Sequence, residues 1–337
     1  MKKILFLLKE KQYSLSLTSY GLINSANHIA HYLESIYYKC KVVQVVDANG
    51  IDKEVHDFNP DIVIIEALWV TAPKLTEIMS LAWYRHIKWV VRIHSDIGFL
   101  STEGWGVKLI NDYLDINRNN FLIAFNNHKF VKALSDVMET EFTYLPNVMT
   151  ICEPEDNDSE EKPYIKIGCF GALRLLKNQC FQAMCAIMAA NKLRKKLCFH
   201  ITPSLAVQDD SVLKNLRELF KNNEHELMVH NWMPNHLFQN LVRKMDLGLQ
   251  LSYTESFNIV TADFINNNKL IIVSDAIDWM PPSLRVSNTD YDEVVDKIVH
   301  VYKHRNNNLT KGLQRRHLRE YNEGAEKTWN AFLREHN

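Results

Sequence analysis

The sequence has little of what marks a specialised protein class. Net charge is only −1 over 337 residues, so composition implies no bulk attraction to nucleic acid or an anionic membrane. Six cysteines (Cys40, Cys152, Cys169, Cys180, Cys185 and Cys198) form no Cys-x-x-Cys pair, and several lie in apolar segments. Reduced, buried thiols in a cytoplasmic protein are the expectation. The apolar run Ile4–Leu8 is too short for a signal peptide, and no segment approaches a transmembrane span. No solenoid period repeats, and glycine is scarce, at 10 residues. What is present is an ordinary globular balance, 46% hydrophobic and 23% charged. The length exceeds the roughly 250–300 residues at which single cores stop growing, which predicts two domains.

Both halves alternate strand and helix patterns. Lys3–Leu8, Lys41–Val46, Asp61–Glu66, Lys88–Ile93 and Phe121–Phe125 read as buried strands, with helices near 22–37, Thr76–Tyr84 and Trp105–Leu114. A second series follows the charged, proline-containing linker Glu153–Lys162: strands Tyr164–Phe170, Leu197–Ile201, Glu226–Val229, Asp246–Ser252 and Leu270–Ser274, with helices at Gln179–Ala190, Asp210–Lys221, Pro234–Lys244 and Phe257–Asn267. Such alternation predicts an α/β protein with two doubly wound, Rossmann-like domains, 1–150 and 163–318, and a C-terminal helix, 319–337, returning to the first. Ligands of doubly wound sheets gather beyond the carboxyl ends of the strands, which selects particular loops.

The most informative stretch runs from Asp246 to Asp275. Glu255 sits where a helix begins, and Asp263 lies on that helix about two turns on. The first amides of a helix lack intrahelical acceptors and carry the positive end of its dipole, so an anion is favoured at Ser256, Phe257, Asn258 and Ile259. A diphosphate docked there would have a carboxylate to either side, the shape of a nucleotide-sugar. An acidic helix start is also favourable on any surface helix, and that reading stays open.

Glu255-Ser-Phe-Asn-Ile-Val-Thr-Ala-Asp263 resembles the E-x7-E signature of retaining nucleotide-sugar glycosyltransferases (family 4-like) with the GT-B fold, two Rossmann-like domains facing a central cleft. Two residues depart from that pattern: Asn258 stands where Gly is usual, and Asp263 replaces the second Glu. Asn tolerates a left-handed backbone, and Asp keeps the charge with one methylene less reach. Further matches follow in order along the chain. His94, after the strand Lys88–Ile93, is similar to the family's sugar-contacting histidine, with a structural histidine as the competing reading. Pro146-Asn147 resembles the end of the family's first domain, with Val148 in place of Gly. Gly171 and Lys177 align with the family's G-R-L-x-x-x-K-[GN] stretch; Ala172 takes the usual Arg position and Arg174 comes two places later. Trp232, in Asn231-Trp232-Met233-Pro234, borders the nucleobase by resemblance, with core packing equally open. Of the family's first glycine-rich loop only Gly21 remains, beside Ser14, Ser16, Thr18 and Ser19.

The resemblance implies a metal-independent hexosyl- or pentosyltransferase that moves a sugar from a nucleoside diphosphate to an acceptor hydroxyl with retention and needs no cofactor besides that donor. By resemblance Lys177, Arg174 and the helix amides hold the diphosphate, Glu255 and His94 the sugar, and Asp263 the ribose. The acceptor is open among a saccharide, a lipid-linked sugar, a protein and a modified nucleic-acid base. Two other classes stay open: a GT-B-fold nucleotide-sugar epimerase and a non-catalytic nucleotide-sugar-binding protein. Glu66 and Glu103 are minor candidates. Asp156-Asn-Asp158, which looks like a metal-binding D-x-D motif, is assigned to the linker, and Asp290-Tyr-Asp292 to the opening of a helix.

Overall fold

The structure is a computed structural model and describes residues 1–10, 20–102, 104–153, 162–202 and 211–336. The linker acids Asp156 and Asp158, the loop residues Ser14, Ser16, Thr18 and Ser19, and Glu103 lie outside the described residues. The chain folds as two compact units, one of residues 1–150 with 322–337 and the other of 151–321.

The first unit is a six-stranded parallel sheet in the order β2-β1-β3-β4-β5-β6. Its elements are β1 (Lys3–Lys9), α1 (Tyr20–Ser35), β2 (Lys39–Val45), α2 (Gly50–Phe58), β3 (Ile62–Glu66), α3 (Ala72–Met79), β4 (Lys88–Ile93), the single turn α4 (Ile97–Leu100), α5 (Gly106–Leu114), β5 (Phe121–Phe125), α6 (His128–Met138) and β6 (Thr143–Tyr144). Every residue of β3 is buried, as the unbroken run Ile62–Ile65 requires of a strand covered on both faces. The expected helix Thr76–Tyr84 is instead α3 followed by a 3₁₀ turn at Ala82–Tyr84. Ser80 ends α3, its hydroxyl bonding back to Glu77 O at 2.6 Å, the local competition that makes Ser a poor helix continuer. Helices α2 and α6 were not expected. The hydrophobic stripe of α2 is only Ile51 and Val55, too brief to stand out in sequence.

The second unit is also a six-stranded parallel sheet, in the order β12-β11-β10-β7-β8-β9. Its elements are β7 (Tyr164–Cys169), α7 (Gln179–Leu193), β8 (Lys196–Ile201), α8 (Ser211–Lys221), β9 (Glu226–Val229), α9 (Asn235–Arg243), β10 (Leu247–Gln250), α10 (Ile259–Asn266), β11 (Leu270–Ser274), β12 (Arg285–Val286), α11 (Tyr291–Lys303) and the start of α12 (Asn308–Glu335). Counted from its own first strand, this is the 3-2-1-4-5-6 order of a dinucleotide-binding sheet. The order reverses between β7 and β10, so the crevice beyond Cys169 and Gln250 is the place the topology reserves for a ligand.

α12 is one continuous helix beginning at Asn308, not a separate element from residue 319. Its later part belongs to the first unit, where Trp329 is fully buried and its indole N–H donates to Pro146 O at 2.9 Å. One strand end and one helix start also differ from expectation. β10 stops at Gln250 because the next amide, Leu251 N, is taken by the Gln182 side chain at 3.1 Å instead of a neighbouring strand. α10 starts at Ile259 rather than Phe257, since Asn258 holds a left-handed φ of 66° that no helical residue adopts.

Candidate functional site

Three chain segments meet at the β7/β10 crevice. The first is the turn after β7. Gly171 sits at φ 109°, a conformation that suits glycine, and its amide N–H donates to Thr202 Oγ1 at 3.0 Å. The chain then passes exposed Arg174 into a 3₁₀ turn, Leu175–Lys177, and enters α7. The second segment is the loop Leu251–Asn258 after β10. The third is α10.

Lys177 Nζ pairs with Glu255 Oε1. Glu255 is buried, and the same oxygen accepts from Ser252 Oγ at 2.7 Å and Asn258 Nδ2 at 2.8 Å. The carboxylate is therefore fixed from both sides of the crevice: a cation carried by the β7 turn and neutral donors from its own loop. Asn258 has a second task. Its Oδ1 caps α10 by accepting from Thr261 N at 2.9 Å, and its Nδ2 also reaches Gln250 Oε1 at 2.8 Å. The Asn in place of the motif's glycine thus takes the left-handed turn, caps the helix and holds Glu255 together. The loop is further tied down by Tyr253 N to Leu176 O at 2.9 Å, and by Ser274 Oγ and Asn288 Nδ2 on Ser252 O at 2.6 and 3.1 Å.

α10 lies unusually close to the sheet, and scarce glycines allow it. Gly168 and Gly248 are register partners on β7 and β10. A Cβ on Gly248 would stand 2.7 Å from Phe264 of α10, and one on Gly168 2.8 Å from the same ring. Phe264 rests directly on bare backbone, which brings the start of α10 down to the crevice. Sequence reading passed over both glycines, together with Ser252, Gln250 and Gln239. The signal available was a pair of glycines within two apolar strands, which marks a close approach.

The remaining expected residues are placed as follows. Ser256 and Ile259 are half-buried beside Asn258. Phe257 is buried and faces an aromatic cluster, its ring 5.3 Å from Trp279 and 4.9 Å from Tyr321, so only its backbone is left for a ligand. Asp263 is buried and accepts from Gln239 Nε2 of α9 at 2.7 Å. Burial raises its carboxyl to about 7, with the Gln239 bond pulling the other way. Trp232 is half-buried in the loop after β9. Gly21 belongs to the first turn of α1, with no left-handed φ, and is not a loop hinge. Asp290 caps α11 through Glu293 N at 3.0 Å. Among the described residues no group of His, Cys, Asp and Glu has the arrangement of a metal site.

His94 lies in the first unit, at the end of β4, within a buried polar network. Its Nε2 bonds to the Glu66 carboxylate and its Nδ1 faces Asn126 Nδ2 at 3.3 Å, so both ring nitrogens are engaged within the unit. Arg92 spans the network, giving Nη1 to Glu66 at 3.0 Å, Nε to Leu145 O at 2.8 Å and Nη2 to Asn147. Burial opposes ionisation of Glu66, but Arg92 and His94 together outweigh it and hold the carboxyl below its ordinary range. Burial, with Arg92 beside it, lowers His94 despite the opposing pull of Glu66. A neutral His94 with ionised Glu66 and Arg92 leaves the cluster balanced in charge.

The chain matches no protein-family model, and no curated protein matches it in sequence. Solved structures do match in fold. A glycosyltransferase from Rickettsia africae superposes with TM-score 0.66 at 13% identity, covering 99% of this chain and 97% of that one. OtsA, in its apo form, gives 0.68 at 11% identity over 100% and 99% of the two chains. TarM of S. aureus, in a complex that contains UDP, gives 0.59 at 13% identity; 83% of this chain is covered, and it spans 57% of TarM. The fold is that of the GT-B proteins.

Proposed function

We propose that the protein is a glycosyltransferase that takes a sugar from a nucleoside diphosphate, with retention of configuration, and passes it to an acceptor hydroxyl. The observation that carries this reading is the Lys177–Glu255 pair at the β7/β10 switch point, above a helix capped by Asn258. The solved structures similar in fold support it, among them a UDP-forming trehalose-phosphate synthase from Burkholderia xenovorans with TM-score 0.58.

In this mechanism the donor diphosphate lies at the amides that open α10 and beside the turn after β7. Lys177 exchanges part of its interaction with Glu255 for the phosphate, and Arg174 adds a second cation. Charge that develops on the departing diphosphate is thereby met by fixed cations and amides without a metal ion. Glu255, held by Ser252 and Asn258 when Lys177 turns to the phosphate, receives hydroxyls of the sugar. Asp263 takes the ribose, sharing Gln239 with it, and Trp232 lies toward the base.

The test is a thermal-shift screen of the full chain against UDP-, GDP-, ADP- and TDP-sugars, in which the true donor raises Tm by mass action. Lys177→Ala should abolish that rise and lower turnover by at least about 100-fold, the loss of a group worth ~3 kcal/mol in the transition state. If Lys177→Ala turned over donor nearly as well as the parent protein, the diphosphate assignment would be wrong.

A further inference from the structure

A cavity of about 480 Å³ opens beyond the carboxyl ends of β10, β11 and β12, within the second unit. Its wall includes Tyr253, Asp275, Arg285, Ser287, Asn288 and Glu293. None of these residues belongs to the set that holds the diphosphate. The volume lies in the range of small-ligand sites, and the position obeys the rule that doubly wound sheets bind at strand carboxyl ends.

The wall is rigid where it meets the candidate site and unsatisfied where it meets the cavity. Asn288 is fixed by its Nδ2 bond to Ser252 O at 3.1 Å and by Asn178 Nδ2 on its carbonyl at 2.9 Å. Glu293 is fixed by Ser287 N at 3.0 Å. Arg285 differs. Among the described residues its guanidinium makes no hydrogen bond; Nε is buried without a partner, and its one ion pair, to Asp275, is long at 3.7 Å. Of the five N–H donors of a guanidinium, the buried Nε left unmet is the costly one. Tyr253, 49% exposed, adds an aromatic face at the rim.

Two carboxylates against one guanidinium leave the wall net negative, which disfavours a phosphate or a nucleotide. An array of Arg, Asn, Asp and Ser beside an aromatic face suits a ligand with many hydroxyls and one apolar surface, stacked on the ring. We infer that this cavity binds a neutral saccharide, at a site separate from that of the diphosphate. The inference stands on the cavity itself and does not depend on the donor reading. If both hold, Asn288 links saccharide occupancy to the Ser252–Glu255 loop.

The experiment probes the full-length protein on a glycan array carrying neutral, sulfated and sialylated saccharides, then measures affinity for the best neutral ligand by calorimetry. The parent protein should bind neutral saccharides in preference. Arg285→Ala and, separately, Tyr253→Ala should each weaken that affinity by about tenfold or more, with Tm unchanged in at least the Tyr253 variant, whose ring is at the surface. The thermal shift given by the best of the four nucleotide-sugars is measured alongside and should be the same in the Arg285 variant as in the parent. Absence of binding to neutral saccharides, preference for anionic ones, or affinity that survives both substitutions would overturn the assignment. Intact saccharide binding without a thermal shift from any of the four nucleotide-sugars would count against the donor reading alone.

Discussion

Replacing Glu66 by Gln removes one charge from a fully buried cluster and little else. Glu66 and Arg92 have side chains with no solvent exposure, and the carboxylate accepts from Arg92 Nη1 at 3.0 and 3.2 Å as well as from His94. In Glu66→Gln the guanidinium keeps Leu145 O and Asn147 but has no counter-charge, and His94 loses its anionic acceptor. Stranding one partner of a buried ion pair costs about 3–5 kcal/mol. For a unit of this size, 1 kcal/mol moves Tm by roughly 2–4 °C, so the first unit should melt about 6–20 °C lower. Differential scanning calorimetry of the full chain is the assay, with the transition of the second unit as internal reference. Glu66→Leu with Arg92→Met, which removes both charges, should recover much of the loss, because apolar replacements of buried pairs are often neutral. The pH dependence has a definite sign. A carboxyl held below its ordinary value contributes stability above that value and loses it as pH falls through the folded one, so the variant and the parent should converge in acid. A Tm shift under about 2 °C, or no convergence in acid, would refute the view of this cluster as a stabilising charge-balanced unit.

Asp263 makes the opposite case. Its carboxyl is raised from 3.8 to about 7 by burial, so the folded state favours the protonated form, and the associated stability is present in acid and lost as pH rises through about 7. Asp263→Asn mimics the protonated group. It should be more stable than the parent at pH 8.5, by an amount of the order of a few kcal/mol, and no more stable at pH 3.5; equal Tm differences at both pH values would contradict burial of the carboxyl as the cause. Gly248→Ala should cost about 1–3 kcal/mol, since the new methyl meets Phe264 at 2.7 Å and must push α10 off the sheet. The same displacement should reduce the thermal shift given by the donor, and a variant with parental Tm and donor response would show that the close approach is unimportant.

Much of this protein was legible before its structure. Buried strands such as Ile62–Ile65 and Leu270–Val273 announce themselves as apolar runs, because a strand covered on both faces has no polar side to display. Glu255 and Asn258 were legible for a local reason: an acid and a left-handed-tolerant residue at a helix start act through backbone atoms only a few positions away. The sequence also placed Lys177 near the turn that follows a strand.

Tertiary structure decided what depends on partners far along the chain. Which strand lies beside β7 is set by sheet order, and only that order brings Lys177 to Glu255, 78 residues later. The same holds for Glu66 and Arg92, which read as a strand end and an isolated cation until adjacent strands place them in register. Phe257 and Asp263 show the converse, since both fall within the motif segment in sequence while packing turns one toward Trp279 and the other toward Gln239. Periodicity and helix ends are properties of neighbouring residues and survive in a single sequence. The pairing of buried charges, and the direction in which a buried side chain points, are settled by whatever the rest of the chain packs against them.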